Sequence, residues 1–328
     1  MSDWVALSDM TSPPEPGGPL HAAVFVCEVA LPLASTAVLI DWQPDQATAR
    51  TFSVFLDAAA GIVVLDRHGT AVRRHVLPGP LPVGHGTARI TYGWNLLADR
   101  WVLSYGRIGH GEERSAHGVN PISLNREELA DMCRPDGSGS WHPSLLWFGV
   151  TKGAKPPERA PWIGLRTPIE TARGPVAAGL LRPGDMVQTV DNGLQPVLRV
   201  QRLRLPSRGS FAPVILRAPY LGQGTDVLIA KDQLLAMSGP EVEYMFAVEE
   251  VLLPAGALAD GILARPDGLR ASTDGIAIDL GLPELMLVDG LRLLSHSTAA
   301  APPRMVLHPY EAQQLVSLMS RRSRHGAA

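Results

Sequence analysis

The side chains able to do chemistry are few and widely spaced. The two thiols, Cys27 and Cys133, stand far apart in the chain, so neither a disulfide framework nor a cysteine-based zinc site is encoded. His75, His85, His110, His117 and His142 lack the His-x-His or i, i+4 spacing that sets two imidazoles on one face of a strand or helix; solvated or capping roles are expected, and no metal. Cys133 is expected as a small apolar residue on a short helix. Glycoside hydrolysis needs two converging carboxylates. Asp57, Asp66 and Asp99 are available, but nothing in their spacing brings them together. Gly84-His85-Gly86 and the run from Gly106 to Gly111 look like phosphate loops, yet neither opens an apolar helix, which that mechanism requires; no cofactor is expected.

Tryptophan offers a second kind of chemistry. Trp94 and Trp101 flank Asn95 and Asp99 in a strand-turn-strand unit, and Trp141 and Trp147 flank His142. Indoles on an open sheet face stack on sugar rings. Carbohydrate binding by the first half is therefore one expectation, and a place for these indoles in the core is the other.

The elements that must position these groups are mostly strands. Gly (32) and Pro (29) are abundant, which favours short strands and tight turns over helices. With 29 Lys+Arg against 32 Asp+Glu the charge is −3, so neither nucleic acid nor a membrane surface is an expected partner. A length of 328 residues suggests two domains. Residues 1–20, holding Pro13, Pro14, Pro16, Gly17 and Gly18, are expected to form a disordered tail. The apolar stretch Ala22–Ile40 contains Glu28 and Pro32 and follows Asp3, Asp9 and Glu15, so it reads as core strands and not as a signal peptide or spanning helix. Cytoplasm is the default location, with non-classical secretion as the alternative.

Alternation at Phe52, Val54 and Leu56, and at Ile90, Tyr92 and Trp94, predicts an antiparallel β-sandwich over residues 21–150. Its segment Ala88–Tyr105 resembles concanavalin or laminin-G sandwiches. Asn125 is placed to cap a helix over Arg126–Cys133. Residues 151–161, with Pro156, Pro157 and Pro161, read as a linker. Strands then resume at Met186–Val190, and Asp191-Asn192-Gly193 is a hairpin-turn signal because Asn-Gly accepts positive φ. Helical spacing of Ala312, Leu315, Val316 and Met319 predicts a helix from Pro309 to Met319, and residues 316–328, with Arg321, Arg322 and Arg324, a basic tail.

In this second half, Thr167-Pro-Ile-Glu-Thr171-Ala-Arg-Gly174 is followed by Leu181-Arg-Pro-Gly184-Asp185 and by Thr189-Val-Asp191-Asn-Gly193. Next come Phe211-Ala-Pro-Val-Ile-Leu-Arg217, a strand at Val227–Leu235, Tyr244-Met-Phe, Val251-Leu-Leu-Pro254 and Pro309-Tyr310-Glu311-Ala312. The ordered set resembles Hint domains of the hedgehog/intein class, closest to the bacterial Hint-2 branch, over residues 162–315.

The resemblance implies an all-β chain, a sandwich followed by a Hint-type fold. It also implies an ancestral reaction. In that family a Cys attacks the carbonyl of the peptide bond before it, and a His shuttles the proton. Counting back from Thr167 puts the Cys position near Trp162, and nothing from Arg159 to Arg166 is Cys, Ser or Thr. The His position falls on Gln233, whose amide has no titratable proton. No catalytic residue is therefore expected; the domain reads as a scaffold or interaction module for an unknown protein or carbohydrate partner. The alternative is self-cleavage by an unusual nucleophile such as Thr167, expected inside the first strand of the domain. Thr167, Thr171, Gly184, Asp185, Asp191 and Gly193 are expected to be structural, Asp185 by accepting backbone hydrogen bonds in its turn.

Overall fold

Along Gly86–Asn95, Ala88, Ile90, Tyr92 and Trp94 are buried while the residues between them are half-buried, the period-two pattern of a strand with one face on a core. A computed structural model describes residues 4–8, 20–33, 35–44, 50–134, 137–153, 160–268, 270, 272–297 and 300–325, with backbone alone for 321–325. It divides into two compact units, one of Asp3–Glu158 with Arg208–Ser210, the other of Arg159–Ser207 with Phe211–Ala328.

The first unit is the sandwich. Its strands are β1 (Trp4–Leu7), β2 (Ala22–Leu31), β3 (Ala37–Trp42), β4 (Arg50–Asp57), β5 (Gly61–His68) and β6 (Ala71–Pro78). Then come β7 (Gly86–Asn95), β8 (Arg100–Arg107), β9 (Glu113–Gly118), β10 (Gly139–Trp141) and β11 (Leu145–Lys152). One sheet runs β1-β11-β2-β7-β8-β9 and the other β10-β3-β4-β5-β6. Phe25 of the first sheet meets Phe52 of the second edge to face, centroids 5.9 Å apart, and stacks on Phe148 at 6.0 Å. Each of these rings, fully buried, contributes about 1.5–3 kcal/mol through the water it leaves. Helix α1 (Arg126–Cys133) starts at a complete capping box: the Asn125 side chain accepts from Glu128 N–H at 2.9 Å, and the Glu128 carboxylate accepts from Asn125 N–H at 2.8 Å.

Three expected boundaries move. Within the supposed tail 1–20, β1 pairs with β11, Leu7 opposite Gly149, because the short apolar run Trp4-Val-Ala-Leu gains burial that a twenty-residue composition averages away. Residues 9–19, which hold the Pro and Gly, lie outside the described residues. Thr151 and Lys152, assigned to the linker, end β11 opposite Val24 and Ala23, while 154–159 lie outside the described residues. At the other end α3 (Pro309–His325) continues where a tail was expected, its inner face Ala312, Leu315 and Val316 fully packed.

The second unit is also built from strands. They are β12 (Ile163–Gly164), β13 (Pro168–Thr171), β14 (Gly174–Ala177), β15 (Met186–Thr189), β16 (Gly193–Pro196), β17 (Arg199–Pro206), β18 (Val214–Leu216) and β19 (Val227–Ile229). After them come β20 (Leu234–Ser238), β21 (Glu250–Pro254), β22 (Ala264–Pro266), β23 (Ser272–Asp279), β24 (Leu285–Val288), β25 (Leu291–Leu294) and β26 (Met305–Val306). One sheet runs β17-β23-β12-β19-β18-β22; the other runs β14-β13-β15-β24-β25-β20-β21-β26, with β16 on β15. Helix α2 (Pro240–Phe246) starts with Pro at its first position, where the missing N–H has no partner to lose. No helix among the described residues is long and apolar enough to cross a membrane.

Candidate functional site

The two-residue strand β12 lies between β19 and β23, with Ile163 opposite both Ile229 and Ile276 and Gly164 opposite Gly275. Just before it, Trp162 is 3% exposed and its indole lies on the bare backbone of Gly275. A Cβ built on that glycine would stand 2.4 Å from Trp162 Cε3, so Trp162 and Gly275 are fitted to each other.

The Trp162 carbonyl accepts from Ala230 N–H at 2.9 Å, and the Ala230 carbonyl accepts from Gln233 N–H at 3.0 Å. The turn Ala230–Gln233 thus breaks the strand expected over Val227–Leu235 and joins the two positions that the resemblance assigns to nucleophile and proton shuttle. Gln233 is buried. Its Nε2 donates to Leu294 O at 2.7 Å and to Leu234 O at 3.1 Å, and its own carbonyl accepts from Ala255 N–H at 2.9 Å. An amide used in this way bridges the start of β20 to the end of β25 and neither gives nor takes a proton near neutrality.

Thr167 stands one residue before β13, not within it. It is buried, its N–H donating to Gly164 O at 3.1 Å and its carbonyl accepting from Ala178 N–H at 2.8 Å. The other motif residues sit at turns. Thr171 Oγ1 donates to Gly174 O at 2.6 Å, closing the β13–β14 hairpin. Asp185 accepts from Arg182 N–H at 2.8 Å, and the preceding Gly184 has φ +92°, a conformation that disfavours any side chain. Thr189 Oγ1 donates to Gly193 O at 2.8 Å across a turn in which Gly193 has φ +63°. Asp191 pairs with Arg304 at 2.6 Å, and Arg304 also reaches Glu250 at 3.0 Å, a partner set with no signal in the sequence because it joins residues far apart in the chain.

The candidates in the sandwich do not converge. Trp94 and Trp101, for which a sugar-binding face and the core were the two expectations, are 3% and 9% exposed and lie in the core, and their Nε1 atoms donate to Leu20 O and Val119 O at 2.9 and 3.0 Å. The indoles complete the core because the sheet face they share with Ile90 and Tyr92 is the inner one. Trp147 is buried and Trp141 half-buried. Asp57 closes an exposed turn, Asp66 lies buried at the other end of the β4–β5 pair, and Asp99 accepts from Asn120 N–H at 2.9 Å.

His75, expected to be solvated, is buried, because β6 turns it onto the inner face with its ring stacked 4.3 Å from that of Trp101. Cys27 and Cys133 are both buried and neither is in a disulfide; burial, then the charge of Glu28, pushes the Cys27 thiol far above its ordinary range, so no reactive thiolate arises there. Among the described residues no three His, Cys, Asp or Glu are grouped as metal ligands would be.

No curated protein matches the chain. Similar solved structures include the CBM40 of Ruminococcus gnavus IT-sialidase bound to alpha2,3 sialyllactose, 11% identical over 42% of this chain and 79% of that one, with TM-score 0.30. The LG1-3 region of the laminin alpha2 chain is 10% identical over 90% of this chain and 68% of that one, TM-score 0.29. The gp41-1 intein is 13% identical over 42% of this chain and 100% of that one, TM-score 0.26. At these scores the description of the chain as all-β, a sandwich followed by a second β unit, rests on the strand pairing above. The family model for the Hint domain matches residues 165–298, a stretch that opens three residues after Trp162 and contains Thr171, Gly184, Asp185, Asp191, Gly193 and Gln233. With those turns ordered inside the match, residues 165–298 are a Hint domain.

Proposed function

We propose that the Hint domain of this chain no longer cleaves or splices a peptide bond and serves as a scaffold or interaction module for a protein or carbohydrate partner. One observation carries the reading: an indole packed on Gly275 and an amide bonded to two main-chain carbonyls occupy the positions that the family resemblance gives to a nucleophilic Cys and a proton-shuttling His. Acyl transfer from a peptide bond needs a nucleophile that can be deprotonated and a group to carry the proton to the leaving amine. Neither Trp162 nor Gln233 can take those parts. Thr167 is a poor substitute, since its side chain is buried and its backbone is tied into the β12–β13 turn.

Intact-mass measurement after prolonged incubation with dithiothreitol at neutral pH tests this reading. A single species at the full-length mass is expected. Two fragments meeting near Pro161, with masses summing to the whole plus one water, would overturn it.

A further inference from the structure

We propose that the groove between α2 and α3 is a binding site for a neutral oligosaccharide. The last helix has two faces of different character. Ala312, Leu315 and Val316 are buried in the core, whereas Tyr310, Gln313, Gln314, Ser317 and Leu318 recur at i, i+3, i+4, i+7 and i+8 and form a second stripe along the same helix. Across from this stripe α2 contributes Tyr244 and Met245, and together these residues line an open groove of about 530 Å³.

Tyr244 is 88% exposed and Tyr310 65%. Two rings left in water on either side of a groove offer flat apolar surfaces of the kind that stack on the C–H face of a pyranose. The rest of the lining supplies matching polarity. Each Gln amide carries two donors beside one acceptor oxygen and the Ser317 hydroxyl both donates and accepts, which suits the vicinal hydroxyls of a sugar.

Charge narrows the class further. None of the lining side chains is ionised at neutral pH, so a carboxylate, sulfate or phosphate on the ligand would shed water without gaining a counter-charge. The tyrosines come from two separate segments of the sequence pattern, Tyr244-Met-Phe and Pro309-Tyr310-Glu311-Ala312, and neither takes part in the turn at Ala230–Gln233. The site is therefore independent of whether the domain cleaves.

Titration calorimetry of the full chain with maltohexaose, cellohexaose, xylohexaose and mannohexaose tests the assignment. Binding to at least one is expected, with sialyllactose weaker by about tenfold or more. Tyr244→Ala and Tyr310→Ala should each weaken binding about tenfold, Gln314→Ala less, and Tyr244→Phe by no more than about threefold because stacking survives. Both tyrosines are exposed, so the melting curves of these variants should match that of the unchanged chain. Absence of binding across all four sugars would overturn the proposal, and so would unchanged binding in the double Tyr→Ala variant. Concentration-dependent self-association abolished by the same double variant would equally overturn it, making the groove a face between copies of this chain.

Discussion

In the sandwich, Asp66 is almost fully buried between two guanidinium groups: Arg50 Nε donates at 2.8 Å and Arg73 Nη2 at 2.6 Å. In the Hint domain, Gln233 is as deeply buried, yet every bond given above for it runs to main chain. The first arrangement is a hub. Arg50 goes on to the carbonyl of Ser123 at 2.7 Å and to Glu128, and Arg73 to the carbonyl of Pro121 at 3.0 Å, so one carboxylate fixes the segment leading into α1. The second is a brace between two strand ends. A buried carboxylate flags itself by gathering several side-chain partners, whereas a buried amide can satisfy itself on backbone alone.

The largest effect should come from breaking the hub. Asp66→Ala takes a carboxylate from Arg73 and leaves Arg50 paired with Glu128; losing one partner of a buried ion pair costs about 3–5 kcal/mol, toward the lower end here because Arg50 keeps Glu128 and Arg73 is partly in water. Six of the seven tryptophans, all except Trp162, lie in the sandwich sequence, so urea unfolding followed by Trp fluorescence reports this unit. A loss under about 1 kcal/mol would mean that the ion pairs are as weak as surface ones, and the contrast with Gln233 would fail.

A smaller effect tests the other side of the comparison. Gly275→Ala places a methyl group where the Trp162 ring lies, and overpacking of this kind costs about 1–3 kcal/mol. If Trp162 is a filler matched to that glycine, the same substitution should cost far less in a Trp162→Leu background, as a double-mutant cycle read by calorimetric melting would show. Equal cost in both backgrounds would separate the two residues and weaken the view of Trp162 as a structural replacement.

Much of this was legible in the sequence, for reasons that differ by residue. The Asn125 cap, the Asn192-Gly193 turn and the alternation around Ile90 are local signals, set by neighbours in the chain, and the structure has them at those places. The Hint resemblance is ordered along the sequence and so was readable before any contact was known. What the sequence left open or missed depended on which sheet face is inner: the core was one of two expectations for Trp94 and Trp101, His75 was expected to be solvated or capping, and only the second sheet decides that all three are inside. Arg304 with Asp191 and Tyr244 with Tyr310 are products of topology, with no spacing to announce them.

The smallest effect concerns His75, the point where the sandwich differs most from what its sequence suggested. Its Nε2 faces Asn120 O at 3.1 Å and must donate, since a carbonyl only accepts. In the neutral ring Nδ1 then accepts, and the one proton of Tyr92, 3.0 Å away, has to serve either Nδ1 or Ile122 O. Protonation would relieve that competition, but burial opposes the charge and Arg73 adds to the opposition, outweighing the Asn120 bond and Asp66, so the pKa of His75 lies below its ordinary 6.5. Between that lowered value and 6.5 the unfolded chain binds more protons than the folded one, so stability is complete above pH 6.5 and falls as pH drops through the window. Carboxylates held low lie in a different range: Asp57 is lowered by its Thr36 hydrogen bond, and Asp131 is lowered because bonds from Arg134 and Trp42 outweigh burial, so both act below pH 3.8. Urea midpoints should therefore decrease from pH 7.5 to 5.5, and His75→Gln, which can still donate to Asn120 and accept from Tyr92, should flatten the slope. An undiminished slope in that variant would assign the acid sensitivity to other groups and leave His75 as packing alone.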